Sequence, residues 1–170
     1  ALKKRSFPAV FFLNSSTIDN RAMLYRNKAS LILEKINKNL HPDILNQLMK
    51  VFSLQDTSVQ DLRKAILGTG YRQRHLMDIV AIILGIDITA YLEDEKPYLT
   101  STQIQGLLDE GFMIGAHSID HPHFKSLTLD EQLEQTLGSM KVLKDQFLLK
   151  YNLFAFPHND RGVSFEFFEH

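Results

Sequence analysis

The sequence lacks cysteine, a strong excess of charge of either sign, and any long hydrophobic run. The absence of cysteine excludes disulfide bonds and thiolate metal sites. The 19 basic and 20 acidic side chains nearly cancel, so nothing predicts the basic field that nucleic acid or anionic lipid selects. The most apolar stretch, residues 76–86, contains Asp78 and is shorter than the ~20 residues that a membrane span requires. We expect a soluble protein, cytoplasmic or exported, with no nucleic-acid partner.

The chain has 170 residues, of which 44% are hydrophobic, and this is sufficient for one globular domain with an ordinary core. An apolar run at residues 9–13 predicts a strand buried on both faces. Residues 27–85 show helical periodicity that is broken at His41 and Pro42. This segment predicts about four short helices.

Two capping boxes mark helix starts in the second half of the chain, where Thr100 precedes Gln103 and Thr128 precedes Glu131 by three residues. The second should open a long helix that runs to about residue 150. Short apolar runs at 112–116 and 153–156 predict strands, and Ser164 is expected to cap a final helix. The expected buried stripe of the long helix consists of Leu133, Leu137, Met140, Leu143, Phe147 and Leu148.

This alternation of strands and helices predicts an α/β fold with a parallel sheet. In such folds the functional loops follow the carboxyl ends of the strands. Residues 14–16, 117–123 and 157–159 each follow a predicted strand. We therefore expect these three loops to converge on one face of the sheet.

The middle loop, residues 117–123, is called the histidine loop because it holds His117, His121 and His123. Neutral imidazoles are good ligands for zinc and similar ions, and two of them four residues apart on one rigid loop can bind from the same side. Surface loops also carry histidines by chance, so the spacing alone leaves both interpretations open. Ser118 and Asp120 are predicted to support the loop and to orient an imidazole.

A catalytic zinc normally has three protein ligands and a water, and the third ligand is commonly a carboxylate. Asp19 and Asp160, on other loops, are the candidates for this ligand. Loop carboxylates are usually solvated, however. The sequence leaves the third ligand unassigned.

The segment QIQGLLDEGFMIGAHSIDHPHFKSLTLDEQLEQTLGSMKVL resembles the second motif of the polysaccharide deacetylase family, also called the NodB-homology domain. In that motif His-Ser/Thr-x-x-His follows a strand and precedes a long helix. FPAVFFL resembles the strand after the family's first motif, and LFAFPHND resembles the third motif. The resemblance covers residues 4–14 and 97–164.

The resemblance implies a partial or distorted (β/α) barrel that removes acetyl groups from acetylated sugars with one divalent metal ion, expected to be zinc. By this carry-over His117 and His121 are the metal ligands and Ser118 steadies their loop. Pro157 and His158 stand at the third motif, where the backbone N–H after the proline stabilises the oxyanion. Pro157 and His123 are also expected to contact substrate at the rim of the site.

The sequence departs from the family in several places. Ala155 occupies the position where many members have an arginine that orients the catalytic acid. The first motif, with the catalytic aspartate pair, and the fourth and fifth motifs, the last with a general-acid histidine, are not found in these residues. The natural chain either continues at both ends, or it is a catalytically inactive relative that binds carbohydrate or serves as a scaffold.

Residues from about 20 to 95 form a helical insertion relative to compact members, within a single domain spanning residues 1–170. The insertion is expected to be a packing module or lid. The alternative is a surface that gates substrate or binds a partner, with Tyr71, Arg72 and Arg74 as contacts for sugar or phosphate. Deacetylation of N-acetylated sugars or polysaccharide is the function that the sequence favours, and it gives no indication of the oligomeric state.

Overall fold

The structure is a computed structural model that describes residues 2–36, 40–55 and 58–170. Two strands and eight α-helices are found in this part of the chain, and the fold is helix-rich and mixed. In chain order they are β1 (Val10–Leu13), α1 (Tyr25–Ile36), α2 (Pro42–Val51), α3 (Val59–Gly68), α4 (Leu76–Ile83), α5 (Ile88–Glu95), α6 (Ser101–Asp109), β2 (Met113–Ala116), α7 (Leu129–Leu133) and α8 (Ser139–Phe147). Short 3₁₀ segments lie at Lys3–Arg5, Ser15–Asn20, Tyr71–Gln73, Phe124–Ser126 and Phe165–Glu169.

The chain divides into two compact units. The sheet unit comprises Ala1–Ala22 and Lys96–His170, and the helical unit comprises Met23–Glu95. The helical unit therefore occupies almost the same residues as the expected insertion at about 20–95. Within the described ranges, no helix combines the length and the apolar character needed to cross a membrane.

The four helices predicted at residues 27–85 are confirmed as α1 to α4, and the helical unit also contains α5, which lies beyond that segment. The break before α2 is confirmed, since Pro42 begins the helix and the His41 side chain accepts a hydrogen bond from the Asp43 N–H. The missed helix, α5, begins after Asp87, whose carboxylate accepts from the Ala90 N–H at 2.9 Å. An aspartate before a helical segment is a known start signal, but this helix buries little.

Tyr71 and Arg74 pack within the helical unit. Tyr71 is buried and meets the ring of Tyr25 edge-on at a centroid distance of 6.1 Å. The guanidinium of Arg74 lies 4.1 Å from the centre of the Tyr71 ring, an arrangement that stabilises by cation–π attraction. The expectation that Tyr71 contacts sugar is therefore wrong, because its ring forms part of the core.

The sheet of the sheet unit pairs β1 and β2 in parallel, with Val10 opposite Met113 and Leu13 opposite Ala116. The third predicted strand is reduced to one parallel bridge between Ala116 and Phe154. The order of these three segments is nevertheless the one that a parallel α/β arrangement requires.

Burial of β1 differs from the prediction. Successive side chains of a strand point to opposite faces, and Phe11 and Leu13 pack against the core cluster. Val10 and Phe12, on the other face, remain 38% and 39% exposed. The continuous apolar run was therefore wrong as an indicator of burial on both faces. The core cluster itself comprises Ile18, Ile104, Ile114, Ala116 and Leu143.

The predicted capping box of α6 is confirmed, since Thr100 and Gln103 bond each other's backbone N–H groups. Asp19 provides further hydrogen bonds at the start of α6, which the sequence did not reveal. Its carboxylate accepts hydrogen bonds from the Ser101 hydroxyl and the Ser101 N–H, and these lower its pKa below the ordinary 3.8. A carboxylate at a helix start also interacts favourably with the helix dipole.

Replacing Asp19 with alanine should lower the free energy of unfolding by about 1 kcal/mol at neutral pH. A carboxyl group whose pKa is lowered by folding stabilises the fold above its ordinary pKa, and that contribution declines as the pH falls below it. Urea unfolding of both proteins at pH 7 and near pH 3 should therefore show a smaller difference at the lower pH. Asp145→Ala, which removes an exposed pair with Lys141, should change stability by less than about 0.5 kcal/mol.

The second capping box, Thr128 with Glu131, is also confirmed and opens α7. A single turn of π-helix at Glu134–Gly138, called the π-turn below, joins α7 to α8. The three segments together are called the long helix. The predicted buried stripe is confirmed at Leu143, which belongs to the core cluster, and at Met140 and Phe147, which pack against it, but it is wrong at Leu137 and Leu148. Leu137 is exposed, and Leu148 is 81% exposed in a left-handed conformation at the helix end. The buried polar residues of the long helix are Gln132, Gln135, Thr136 and Ser139.

The last predicted helix is a 3₁₀ segment, Phe165–Glu169, that starts after Ser164. The Ser164 side chain makes no capping hydrogen bond there, contrary to the prediction. A segment of five residues is too short to gain the cooperative hydrogen bonding of an α-helix. Phe167 anchors it by packing against the rings of Phe124 and Phe156.

Candidate histidine site

The carboxyl end of β1 is hydrogen-bonded to the histidine loop. The His117 N–H donates to the Leu13 carbonyl at 2.8 Å, and the Ser15 N–H donates to the Ser118 carbonyl at 3.2 Å. The Asn14 amide nitrogen donates to the His117 carbonyl and to the Ser118 hydroxyl. The predicted convergence of the first two loops is therefore confirmed, with Asn14 as its polar link.

The ring of His117 is held by the segment predicted as the third strand. Its Nδ1 lies 2.8 Å from the carbonyl oxygen of Ala155. A carbonyl only accepts hydrogen bonds, so this contact places the proton of a neutral ring on Nδ1. The lone pair is then on Nε2, which is the tautomer that a metal ligand held through its other nitrogen adopts.

The rings of His117, His121, His123 and His158 form a histidine cluster. His121 lies at its centre, beside His117. The ring centroids of the two residues are 4.9 Å apart, and the centroid of His158 is 4.6 Å from that of His121. Burial, reinforced by the charges that His117 and His158 would carry, lowers the pKa of His121 to about 4. His121 is therefore neutral at pH 7, as a metal ligand must be.

Three residues of the site have left-handed backbone conformations. The φ angles are +74° at Ser118, +64° at His121 and +64° at His158. This conformation costs non-glycine residues roughly 1–2 kcal/mol each, and such strain concentrates at functional sites. Ser118, which is fully buried, offsets part of this cost because its hydroxyl accepts from the His121 N–H at 2.9 Å.

His123 and His158 form a stacked pair, with centroids 3.7 Å apart and ring planes inclined by 15°. The lone pairs of the two rings lie in separate, nearly parallel planes, so they do not converge on one ion. His158 is exposed and His123 is half-buried. The pair therefore forms a flat, partly accessible surface beside His121, which suits the expected position of His123 at the rim.

Pro157 and Asp120 occupy supporting positions. Pro157 is fully buried, so its ring is not accessible to a substrate from the surface. The Asp120 N–H donates to the Gln135 side chain at 3.3 Å. Among the other carboxylates considered, Asp19 is bonded to Ser101 and Asp160 is exposed on its own loop.

Two glutamines of the long helix support this region, and the sequence reasoning missed both. The Gln135 side-chain oxygen accepts from the Ile119 and Asp120 N–H groups. The Gln132 amide nitrogen donates to the carbonyls of Phe124 and Gly162 at 2.9 and 3.0 Å. The available sequence signal is the spacing of Gln132 and Gln135, two uncharged amides three residues apart on the core-facing side of a helix. This spacing does not identify their hydrogen-bond partners.

The residues present fit a divalent ion only in part. His117 and His121 provide two neighbouring imidazoles, of which His121 is neutral at pH 7 and His117 has its Nδ1 against the Ala155 carbonyl. Across residues 2–36, 40–55 and 58–170, no group of three or more His, Asp or Glu side chains is arranged to hold an ion. The histidine pair is thus a suitable half of a metal site, and the further ligands are not assigned.

The sequence model of the family described as "Polysaccharide deacetylase" matches residues 73–165, which is more than half of the chain. The match contains β2, the histidine loop, the long helix and the stretch with Pro157 and His158. It also includes α4 and α5 of the helical unit, whereas the expected likeness at residues 4–14 lies outside it. Searches of curated proteins and of solved structures give no significant match. The chain belongs to the polysaccharide deacetylase family.

Proposed function

We propose that this chain contributes to a metal-dependent deacetylase that hydrolyses acetyl groups from N-acetylated sugars or polysaccharide. Family membership supports the reaction class. The observation that carries the proposal for this site is the contact between the His117 Nδ1 and the Ala155 carbonyl, because it directs the second ring nitrogen of His117 away from the backbone. His121 lies next to that ring and stays neutral at physiological pH.

The proposal includes a partial, distorted (β/α) barrel as the scaffold. The parallel register of β1 with β2 and the parallel bridge at Phe154 support it, since both occur in a strand-helix order. In barrels of this kind the reacting groups lie on loops after the strands. The hydrogen bonds between Asn14 and the histidine loop fit that position.

His117 and His121 would hold one divalent ion, for which we propose zinc. Such an ion, when bound, polarises an acetyl carbonyl and lowers the pKa of a coordinated water. Ser118 and Asn14 hold the loop that carries both rings. The N–H of His158, which follows the buried Pro157, would donate to the oxyanion that forms when water attacks the carbonyl.

The stacked rings of His123 and His158 are proposed to contact the sugar. Flat aromatic surfaces of partly exposed rings pack against apolar faces of ligands while their nitrogens offer hydrogen bonds. The carboxylate base and the acid for the leaving amine, which the resemblance places in the first and fifth motifs, are not among these 170 residues. This assignment therefore covers metal holding, oxyanion binding and substrate contact.

The activity is tested with N-acetylglucosamine oligomers as substrate and acetate release as the measurement. In a protein that combines this segment with the carboxylate base and the general acid, we expect added zinc to support acetate release, a chelator to stop it, and His121→Ala to reduce it to background. A chain that binds the oligomers and zinc but releases no acetate would instead be an inactive carbohydrate-binding relative. Acetate release that is unchanged in chelator would contradict metal dependence.

A further inference from the structure

The π-turn of the long helix lies against the middle of the histidine loop. It places the Gln135 side chain, in a residue only 8% exposed, within 3.0 Å of the Ile119 N–H and 3.3 Å of the Asp120 N–H. Both partners are donors, so the Gln135 atom that faces them is the carbonyl oxygen of its amide. π-turns are rare and are frequently found at functional sites.

Ile119 is fixed from two sides by this arrangement. Its carbonyl accepts hydrogen bonds from the Ser16 N–H at 3.1 Å and from the Ser16 hydroxyl at 2.7 Å. Its side chain lies over Gly138, where an added Cβ would be only 3.2 Å from the Ile119 Cδ1. The π-turn thus supplies two contacts for Ile119, which lies halfway between His117 and His121. The Gln135 oxygen accepts its N–H, and Gly138 leaves space for its side chain.

The histidine loop needs such support because its backbone is strained. Ser118 and His121, on either side of Ile119 and Asp120, both have positive φ angles. Strained conformations persist only when surrounding contacts determine them. Loss of the Gln135 oxygen would leave the N–H groups of two half-buried residues without this acceptor, and a polar group that loses its partner away from water destabilises the conformation that places it there.

We propose that Gln135 is a positioning residue that sets the separation and orientation of the His117 and His121 rings, and thereby the affinity of the pair for a divalent ion. The inference rests on the proposed function for the metal itself. The effect on the loop does not rest on it, because the hydrogen bonds from Ile119 and Asp120 are present without any ion.

Gln132 provides a matched control on the same helix. It is 3% exposed, and its amide bonds the carbonyls of Phe124 and Gly162, both outside the histidine loop. Gln132→Leu removes a buried amide from the same helix and should lower stability. It should leave the arrangement of His117 and His121 unchanged.

The test compares Gln135→Leu, Gln135→Glu and Gln132→Leu in the full chain with two measurements. Zinc affinity, measured by competition titration, should fall roughly 10- to 100-fold in Gln135→Leu. It should stay within about threefold of the parent in Gln132→Leu, and Gln135→Glu should restore it because a carboxylate also accepts both hydrogen bonds. Amide hydrogen exchange at Ile119 and Asp120, measured without metal, should accelerate in Gln135→Leu alone.

Equal losses of zinc affinity in Gln135→Leu and Gln132→Leu would reduce the role of Gln135 to general stability and refute the proposal. So would unchanged affinity and unchanged exchange in Gln135→Leu. If the parent chain binds no zinc, the proposed function fails, and the exchange rates alone then decide the role of Gln135. If Gln135→Leu does not fold, Gln135→Glu decides it, since rapid exchange at Ile119 in that variant would contradict the proposal.

Discussion

Replacement of His117 by alanine is expected to lower the affinity of the chain for zinc by roughly 100-fold or more, since loss of an outer-shell partner alone already costs 10- to 100-fold. The variant loses one of the two imidazoles, the one that the Ala155 carbonyl orients. Titration near pH 7.5 is appropriate because the pKa of His121 is about 4, so protons do not compete for that ring. Thermal unfolding without metal should show only the loss of one hydrogen bond.

His123→Ala is the matched control for this experiment. His123 lies two residues beyond His121 on the same loop, and its ring stacks on His158. Its removal should change zinc affinity by only a few fold while weakening the binding of an acetylated sugar. If His117→Ala kept the zinc affinity of the parent, His117 would not be a metal ligand. The family assignment would then stand without support for a metal-dependent mechanism at this site.

Gly115→Val is expected to destabilise the chain by about 3 kcal/mol, at the upper end of the usual cost of overpacking. Gly115 pairs with Phe12 across the sheet. A Cβ at position 115 would lie 2.5 Å from the Phe12 Cε1 and 3.1 Å from the Leu153 Cβ. The Phe12 ring is partly exposed and can rotate away, but Leu153 is held by the Ala116 N–H, so β2 itself must shift.

The matched substitution is Gly106→Ala, at an exposed helical position of α6 with nothing within 4 Å of the added Cβ. It should stabilise the chain by up to about 1 kcal/mol, because alanine favours the helix over glycine. Chemical unfolding measures both variants. Because β2 leads directly into His117, Gly115→Val should also weaken zinc binding, and a variant of unchanged stability would show that the sheet tolerates a wider separation.

Most features that depend on residues close in sequence were predictable, with the cap at Ser164 as an exception. Both capping boxes form as the three-residue spacing indicated, and Pro42 begins α2. The meeting of the loops after the strands also follows from general rules for parallel sheets. These features need no knowledge of what packs against them.

Features that depend on long-range contacts were not predictable. Regular helical periodicity predicted burial of Leu137, but the π-turn leaves it exposed. The turn contacts the histidine loop, where the Ile119 side chain packs over Gly138, and such contacts between distant segments cannot be read from a local pattern. The sequence likewise indicated His117 and His121 as a pair, while Gln135 became identifiable only from its hydrogen bonds. Burial of a strand on both faces depends on layers that a local pattern does not report.

The contact between His117 and position 155 is made by main-chain atoms of residue 155. Any L-amino acid at position 155 supplies the same carbonyl oxygen. The orientation of the His117 imidazole therefore does not depend on the side chain at that position. Position 155 is therefore suitable for saturation mutagenesis. New side chains can be introduced there while the orientation of the His117 ring is preserved.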